Sequence, residues 1–181
     1  MVWSDITPVK VTQSNTTNSF DASYAVDKDL STRSISSPDG GQIWFKLELS
    51  ETLYIYEIVI YSFFYADWYS PAGDTWCFES AEEYRSCITH CNVGVDVAVY
   101  LADQKQISCG TLSLTDSFNQ ADQIYSFLCG TVTQGDTILL SKGTASTDSW
   151  ITLSEIVVRG SGMETVNYTE LKNMTWPIKN V

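Results

Sequence analysis

Positive charge is scarce in this chain. Its 181 residues hold 10 Lys and Arg against 22 Asp and Glu, a formal charge of -12. A polyanion would be repelled over most of such a surface, which argues against nucleic acid as a partner. Long apolar runs are also missing: each is broken by Tyr, Glu or Ser well short of the roughly 20 residues of a membrane-crossing helix. No membrane span is expected. The opening "MVWSDITPVKV" has neither the basic end nor the apolar middle of a secretory signal, so in an exported chain that signal would have been removed or replaced. No stretch keeps a helical period beyond about three turns, which leaves room for only a few short helices. Catalytic signatures are missing too: there is no nucleophile elbow, phosphate-binding glycine loop, zinc helix or acid–base carboxylate pair in a recognisable context. Glu79, Glu82 and Glu83 form a solvated run with no apolar pocket to tune their acidity. The chain reads as non-catalytic.

What is present is alternation with the period of strands. "IWFKLEL" (Ile43 to Leu49), "YIYEIVIYS" (Tyr54 to Ser62), "VGVDVAVYL" (Val93 to Leu101), "DTILLSK" (Asp136 to Lys142) and "WITLSEIVVRG" (Trp150 to Gly160) place apolar residues at every second position. A half-buried strand requires this pattern. Turn signals lie between them at Asp39-Gly40-Gly41, Pro71-Ala72-Gly73-Asp74 and Gln134-Gly135-Asp136. The expectation is an all-β domain, a sandwich, over residues 1–160. Residues 161–181 are polar and read as a linker, a docking tail or the edge of a neighbouring module.

Cysteines stand at Cys77, Cys87, Cys91, Cys109 and Cys129, and glycosylation sequons begin at Asn15, Asn167 and Asn173. Together they point to an oxidising, glycosylating compartment and a secreted or cell-surface protein. His90 is the one histidine. It lies near Cys87 and Cys91, but a zinc site there would need a fourth ligand and reduced thiols.

"SYAVDKDLSTRS" (Ser23 to Ser34) is rich in oxygen ligands. Calcium takes six to eight oxygens from carboxylates, hydroxyls and carbonyls, at about 2.3–2.6 Å. Asp27 offers its side chain, Tyr24 and Asp29 their carbonyls, and Thr32 a hydroxyl or carbonyl. Closing such a cage takes a carboxylate from elsewhere in the chain. The other reading is that Asp27 and Thr32 only shape the turn through side-chain to backbone bonds.

The order of three motifs, "ASYAVDKDLST", "GGQIWFKLELSETLYIYEIVIYS" and "ITLSEIVVRG", resembles the discoidin, coagulation-factor C-domain and fucolectin group. The likeness runs from about Ala22 to Gly160. It implies a galactose-binding-like jelly roll or β-sandwich of two antiparallel sheets. It also implies a structural Ca²⁺ closed by Glu155, with the Ser154 carbonyl beside it, and a disulfide between Cys109 and Cys129 as in the fucolectin branch. The sequence departs from the family at Lys28, where a small residue, usually Gly, follows the turn's Asp; Lys tolerates positive φ poorly.

The resemblance does not extend to the sugar-binding residues. Fucolectins use one His and two Arg beside adjacent cysteines, and this chain lacks that set. In its place stands a long insertion, "FFYADWYSPAGDTWCFESAEEYRSCITHC". Aromatic rings stack on the C–H faces of sugars while polar neighbours bond the hydroxyls. Trp68, Tyr69, Asp74, Trp76, Arg85 and His90 are the candidates for such a site. The alternative is that these aromatics fill a small core of the insertion's own or meet a protein partner. With Cys109 and Cys129 paired, Cys77, Cys87 and Cys91 cannot all pair within one chain, so one is a free thiol or an intermolecular link. The function expected is an extracellular, lectin-like module for a glycan or glycoprotein. The alternative is a structural or adhesive subunit that contacts its own copies or neighbours through the tail, with Trp176-Pro177-Ile178 as anchor.

Overall fold

The alternation of "QIWFKLELSETLYIYEIVIYS" builds one strand rather than two: β4 runs unbroken from Gln42 to Ser62. The computed structural model describes residues 3–16, 19–39, 41–62, 92, 94–101, 105–112, 123–143 and 150–162. Among them are eight strands: β1 (Ser4–Ile6), β2 (Lys10–Gln13), β3 (Ser34–Ser36), β4, β5 (Asp96–Tyr100), β6 (Gln106–Thr111), β7 (Gln123–Gly143) and β8 (Ile151–Gly162). One short 3₁₀ helix, Ala22–Val26, precedes β3.

All pairings are antiparallel, and the two long strands serve both layers. The first half of β4 pairs with β2 and with the last part of β7, beyond which lie β5 and then β6. The second half of β4 pairs with β8 on one side and with the first part of β7 on the other, and β1 and β3 pair with β8. The ladder between β4 and β7 slips between Glu48 and Leu53 and again between Ile55 and Glu57. Such irregularities bend and twist strands, and here they carry both chains from one layer to the other. Ile43, Phe45 and Leu47 from one half of β4 join Ile58 and Ile60 from the other, with Val97, Val99, Ile138, Leu140, Leu153 and Val158, in a single buried cluster. The expected sandwich of two antiparallel sheets is the observed fold.

Gln134-Gly135-Asp136 was expected to turn, yet it lies inside β7. Gly135 is needed there for close approach: a Cβ on it would stand 2.2 Å from Val99 Cγ1 and 2.7 Å from the Tyr100 carbonyl oxygen. The strand expected from Val93 is shorter, since β5 begins at Asp96.

Cys109 and Cys129 form a disulfide, as the resemblance implies. The geometry rests on two irregularities. Val97 pairs with Gly110 and Ala98 with Ser108, so Cys109 is the extra residue of a bulge in β6. In β7, residues 129–132 stand against Tyr56 alone, so Cys129 begins the bend. The bond thus ties the outermost strand of one layer to the corner of the strand shared by both. Cys77, Cys87 and Cys91 lie outside the described residues, as do residues 163–181. β8 extends to Gly162, two residues past the boundary expected at 160.

Candidate functional site

The segment from Asp21 to Thr32 folds through its own short side chains. Asp21 caps the 3₁₀ helix by accepting from the Ser23 N–H at 2.9 Å, and buried Ala22 and Ala25 seat it on the core. Asp27 accepts from the Asp29 N–H at 2.9 Å. The Asp29 carboxylate accepts from the Ser31 hydroxyl at 2.6 Å and the Ser31 N–H at 2.9 Å. These bonds, the hydroxyl's first, hold Asp29 below the usual carboxylate range. Lys28 adopts φ 65, the left-handed conformation that glycine takes without strain. Its side chain is exposed.

Three oxygens converge on one hydroxyl. Thr32 Oγ1 lies 2.8 Å from Asp27 Oδ2, 2.9 Å from the Asp29 carbonyl and 3.2 Å from the Tyr24 carbonyl. A hydroxyl has a single proton to donate, so it cannot fully satisfy all three.

Glu155 arrives from β8 through a register slip. Core residues of that strand are odd-numbered at Ile151 and Leu153 but even-numbered at Ile156 and Val158. Tyr61 pairs with Glu155 and Ser62 with Leu153, which leaves Ser154 as the extra residue. The slip turns Glu155 out of the core and toward the segment before β3. It remains only 5% exposed. The one hydrogen bond to its carboxylate among the described residues comes from the Lys28 N–H at 2.9 Å, across 127 residues of sequence. Burial pushes its pKa from 4.5 to about 7; the Lys28 N–H opposes this, the Asp27 charge adds to it, and the Lys28 charge opposes it.

Asp27, the Tyr24 and Asp29 carbonyls and the Thr32 hydroxyl gather oxygens with fewer protons than acceptors, and Glu155 reaches the adjoining Lys28 N–H; oxygens of this kind suit a hard cation. The described residues contain no group of three or more His, Cys, Asp or Glu side chains that could hold a metal. A cage of this kind draws instead on main-chain oxygens. The turn-shaping bonds of Asp27 and Thr32 are also present, so these residues shape the turn and line the same oxygen cluster.

Asn92 is held against the start of β8. Only 2% exposed, it donates to the Ser62 hydroxyl at 2.6 Å and the Thr152 carbonyl at 2.7 Å, and accepts from the Thr152 N–H at 2.9 Å. Ser62 and Asn92, which flank residues 63–91 in sequence, meet at the start of β8. Sequence reasoning missed Asn92, because nothing in "HCNVG" marks an amide that acts as a strand partner. It also missed the slip at Ser154, although the change of parity in "ITLSEIVV" was there to read. Trp68, Tyr69, Asp74, Trp76, Arg85 and His90 lie outside the described residues, as do Asn167 and Asn173. Asn15 is described and exposed.

No protein-family profile and no curated protein matches the chain. Solved structures do. A fucose binding module of Streptococcus pneumoniae, SpX-3, superposes with a TM-score of 0.57 at 17% identity, covering 86% of this chain and 96% of the module. A fucolectin from striped bass (Morone saxatilis) serum gives a TM-score of 0.57 at 17% identity over 84% of this chain, which spans 45% of that lectin. Truncated AlyQ, with CBM32 and alginate lyase domains, gives 0.55 at 16% over 89% of this chain, which spans 34% of it. The chain therefore has the β-sandwich fold of these carbohydrate-binding modules and fucolectins, the one its motif order implies.

Proposed function

We propose that the chain is a non-catalytic, lectin-like recognition module that binds a glycan or glycoprotein at the end of the sandwich carrying the 63–91 insertion. The observation that carries this reading is the meeting of Ser62 and Asn92, the residues that flank the insertion in sequence, with Thr152 of β8, in a fold shared with carbohydrate-binding modules. Trp68, Tyr69 and Trp76 supply rings for the apolar faces of a sugar, and Asp74, Arg85 and His90 supply hydrogen bonds. A structural Ca²⁺, held by Asp27, Thr32, Glu155 and the carbonyls of Tyr24, Asp29 and Ser154, ties the turn to β8. That link stiffens the strand against which the insertion is anchored, and a pre-organised site loses less entropy on binding. The setting is extracellular or cell-surface, consistent with the disulfide.

A glycan array tests this reading. Binding that disappears in Trp68→Ala or Arg85→Ala supports it, and a flat array contradicts it.

One observation favours the second reading, a structural subunit. On the outer face of β7, Ile124 and Leu128 are 54% and 52% exposed. Val157 of β8, paired with Val59 of β4, lies on the same side of the sheet and is partly exposed, while Val59 is buried. Copies packed there would appear as oligomers on sizing and be dispersed by Ile124→Asp.

A further inference from the structure

The sequon at Asn15 has no part in the site above, and its place in the fold gives it one. Asn15 follows the end of β2. Its carbonyl accepts from the Ser37 N–H at 3.0 Å, and Thr16 forms an antiparallel bridge with Ser36. Gln13 braces the segment, its amide donating to the Thr16 hydroxyl at 3.0 Å and to the carbonyls of Phe20 and Ile35 at 3.0 and 3.1 Å. The backbone here is held on both sides. The Asn15 residue itself is exposed, and no hydrogen bond among the described residues engages its side-chain amide. An N-glycan needs such an amide, one that reaches solvent and holds nothing else in place. The position also matters. Ser36 pairs with Ile151, and the next residue, Thr152, is the one Asn92 clamps beside Ser62.

We propose that Asn15 carries an N-linked oligosaccharide standing at the end of the sandwich where the 63–91 insertion leaves and re-enters the sheets. In the transfer, Asn15 Nδ2 bonds to the anomeric carbon of an oligosaccharide carried on a lipid pyrophosphate. The bond from that carbon to the pyrophosphate oxygen breaks, the lipid pyrophosphate leaves with the electron pair, and the amide gives up one proton. No oxidant or reductant is involved. The inference rests on the extracellular part of the proposed function but not on glycan recognition.

The test is a site-resolved map of the full chain, made behind a secretory leader in a eukaryotic host. Glycans are released with peptide N-glycosidase in heavy-oxygen water, and Asn15, Asn167 and Asn173 are read from separate peptides. Secreted and endoplasmic-reticulum-retained pools are both mapped, so that poor export does not hide the answer. The expected result is heavy-oxygen Asp at position 15, lost in Thr17→Ala. Asn15→Gln, deglycosylated in the same way, should melt within about 3 °C of the deglycosylated chain, because the side chain makes no bond to lose. An unmodified Asn15 peptide in both pools overturns the proposal, and so does a larger fall in melting temperature for Asn15→Gln, which would give Asn15 a structural role. Neither result bears on sugar binding, which the array measures separately.

Discussion

Glu155 is the residue on which the account depends most. A carboxylate with little solvent, one N–H partner and Asp27 nearby is costly to ionise, and its pKa moves from 4.5 to about 7. The folded state therefore holds this proton more tightly than the unfolded chain does. In chelator, the contribution of Glu155 to stability should be greatest below pH 4.5, fall as pH rises to about 7 and then level off. The loss is on the order of 3 kcal/mol at most. Denaturant melts in chelator at pH 5 and pH 8 would measure it. Glu155→Gln keeps the shape and removes the charge, so at pH 8 in chelator it should be more stable than wild type, by about 1–3 kcal/mol. With calcium present the order should reverse. Lower stability of Glu155→Gln in chelator at pH 8 would mean that the ionised carboxylate is satisfied without a cation. Lys28, held at φ 65, gives an independent check of the turn. Lys28→Gly should raise stability by about 1 kcal/mol by removing the left-handed strain.

At the scale of elements, the clamps are side chains that replace ladder bonds. Asn92→Ala leaves the Ser62 hydroxyl and both main-chain groups of Thr152 without their buried partner. A loss of about 2–4 kcal/mol is expected in chemical denaturation, with Asn92→Asp milder because one acceptor remains. Replacing Cys109 and Cys129 with Ser opens a link spanning 20 residues and should cost about 3 kcal/mol. The alternation in β4, β5 and β8 was legible because one face of each strand is buried. The unbroken course of β4 and β7 was not, since polar residues such as Ser50 and Glu51 look the same at a bend as at a turn. Gly135 misled for a related reason: the absence of a side chain serves a tight turn and a close strand crossing equally well.

For the whole molecule, the order of motifs carried more information than any single one. It brought Asp27 and Glu155 together across most of the chain, and the observed contact from Lys28 to Glu155 agrees with it. The proposed sugar-binding residues were legible only as chemistry, an aromatic-rich insertion with an Arg and a His. Neither alternation nor a turn signal fixes how such a segment folds. In the proposed function a cation joins the turn to the last strand and so supports the proposed binding end. Calcium titration followed by thermal melting tests it most directly. Saturating calcium at about a hundredfold excess over its Kd should add about 2.7 kcal/mol, and the rise in Tm should vanish with chelator and in Asp27→Ala. A melting temperature that is the same with calcium, with chelator and after Asp27→Ala would contradict the account.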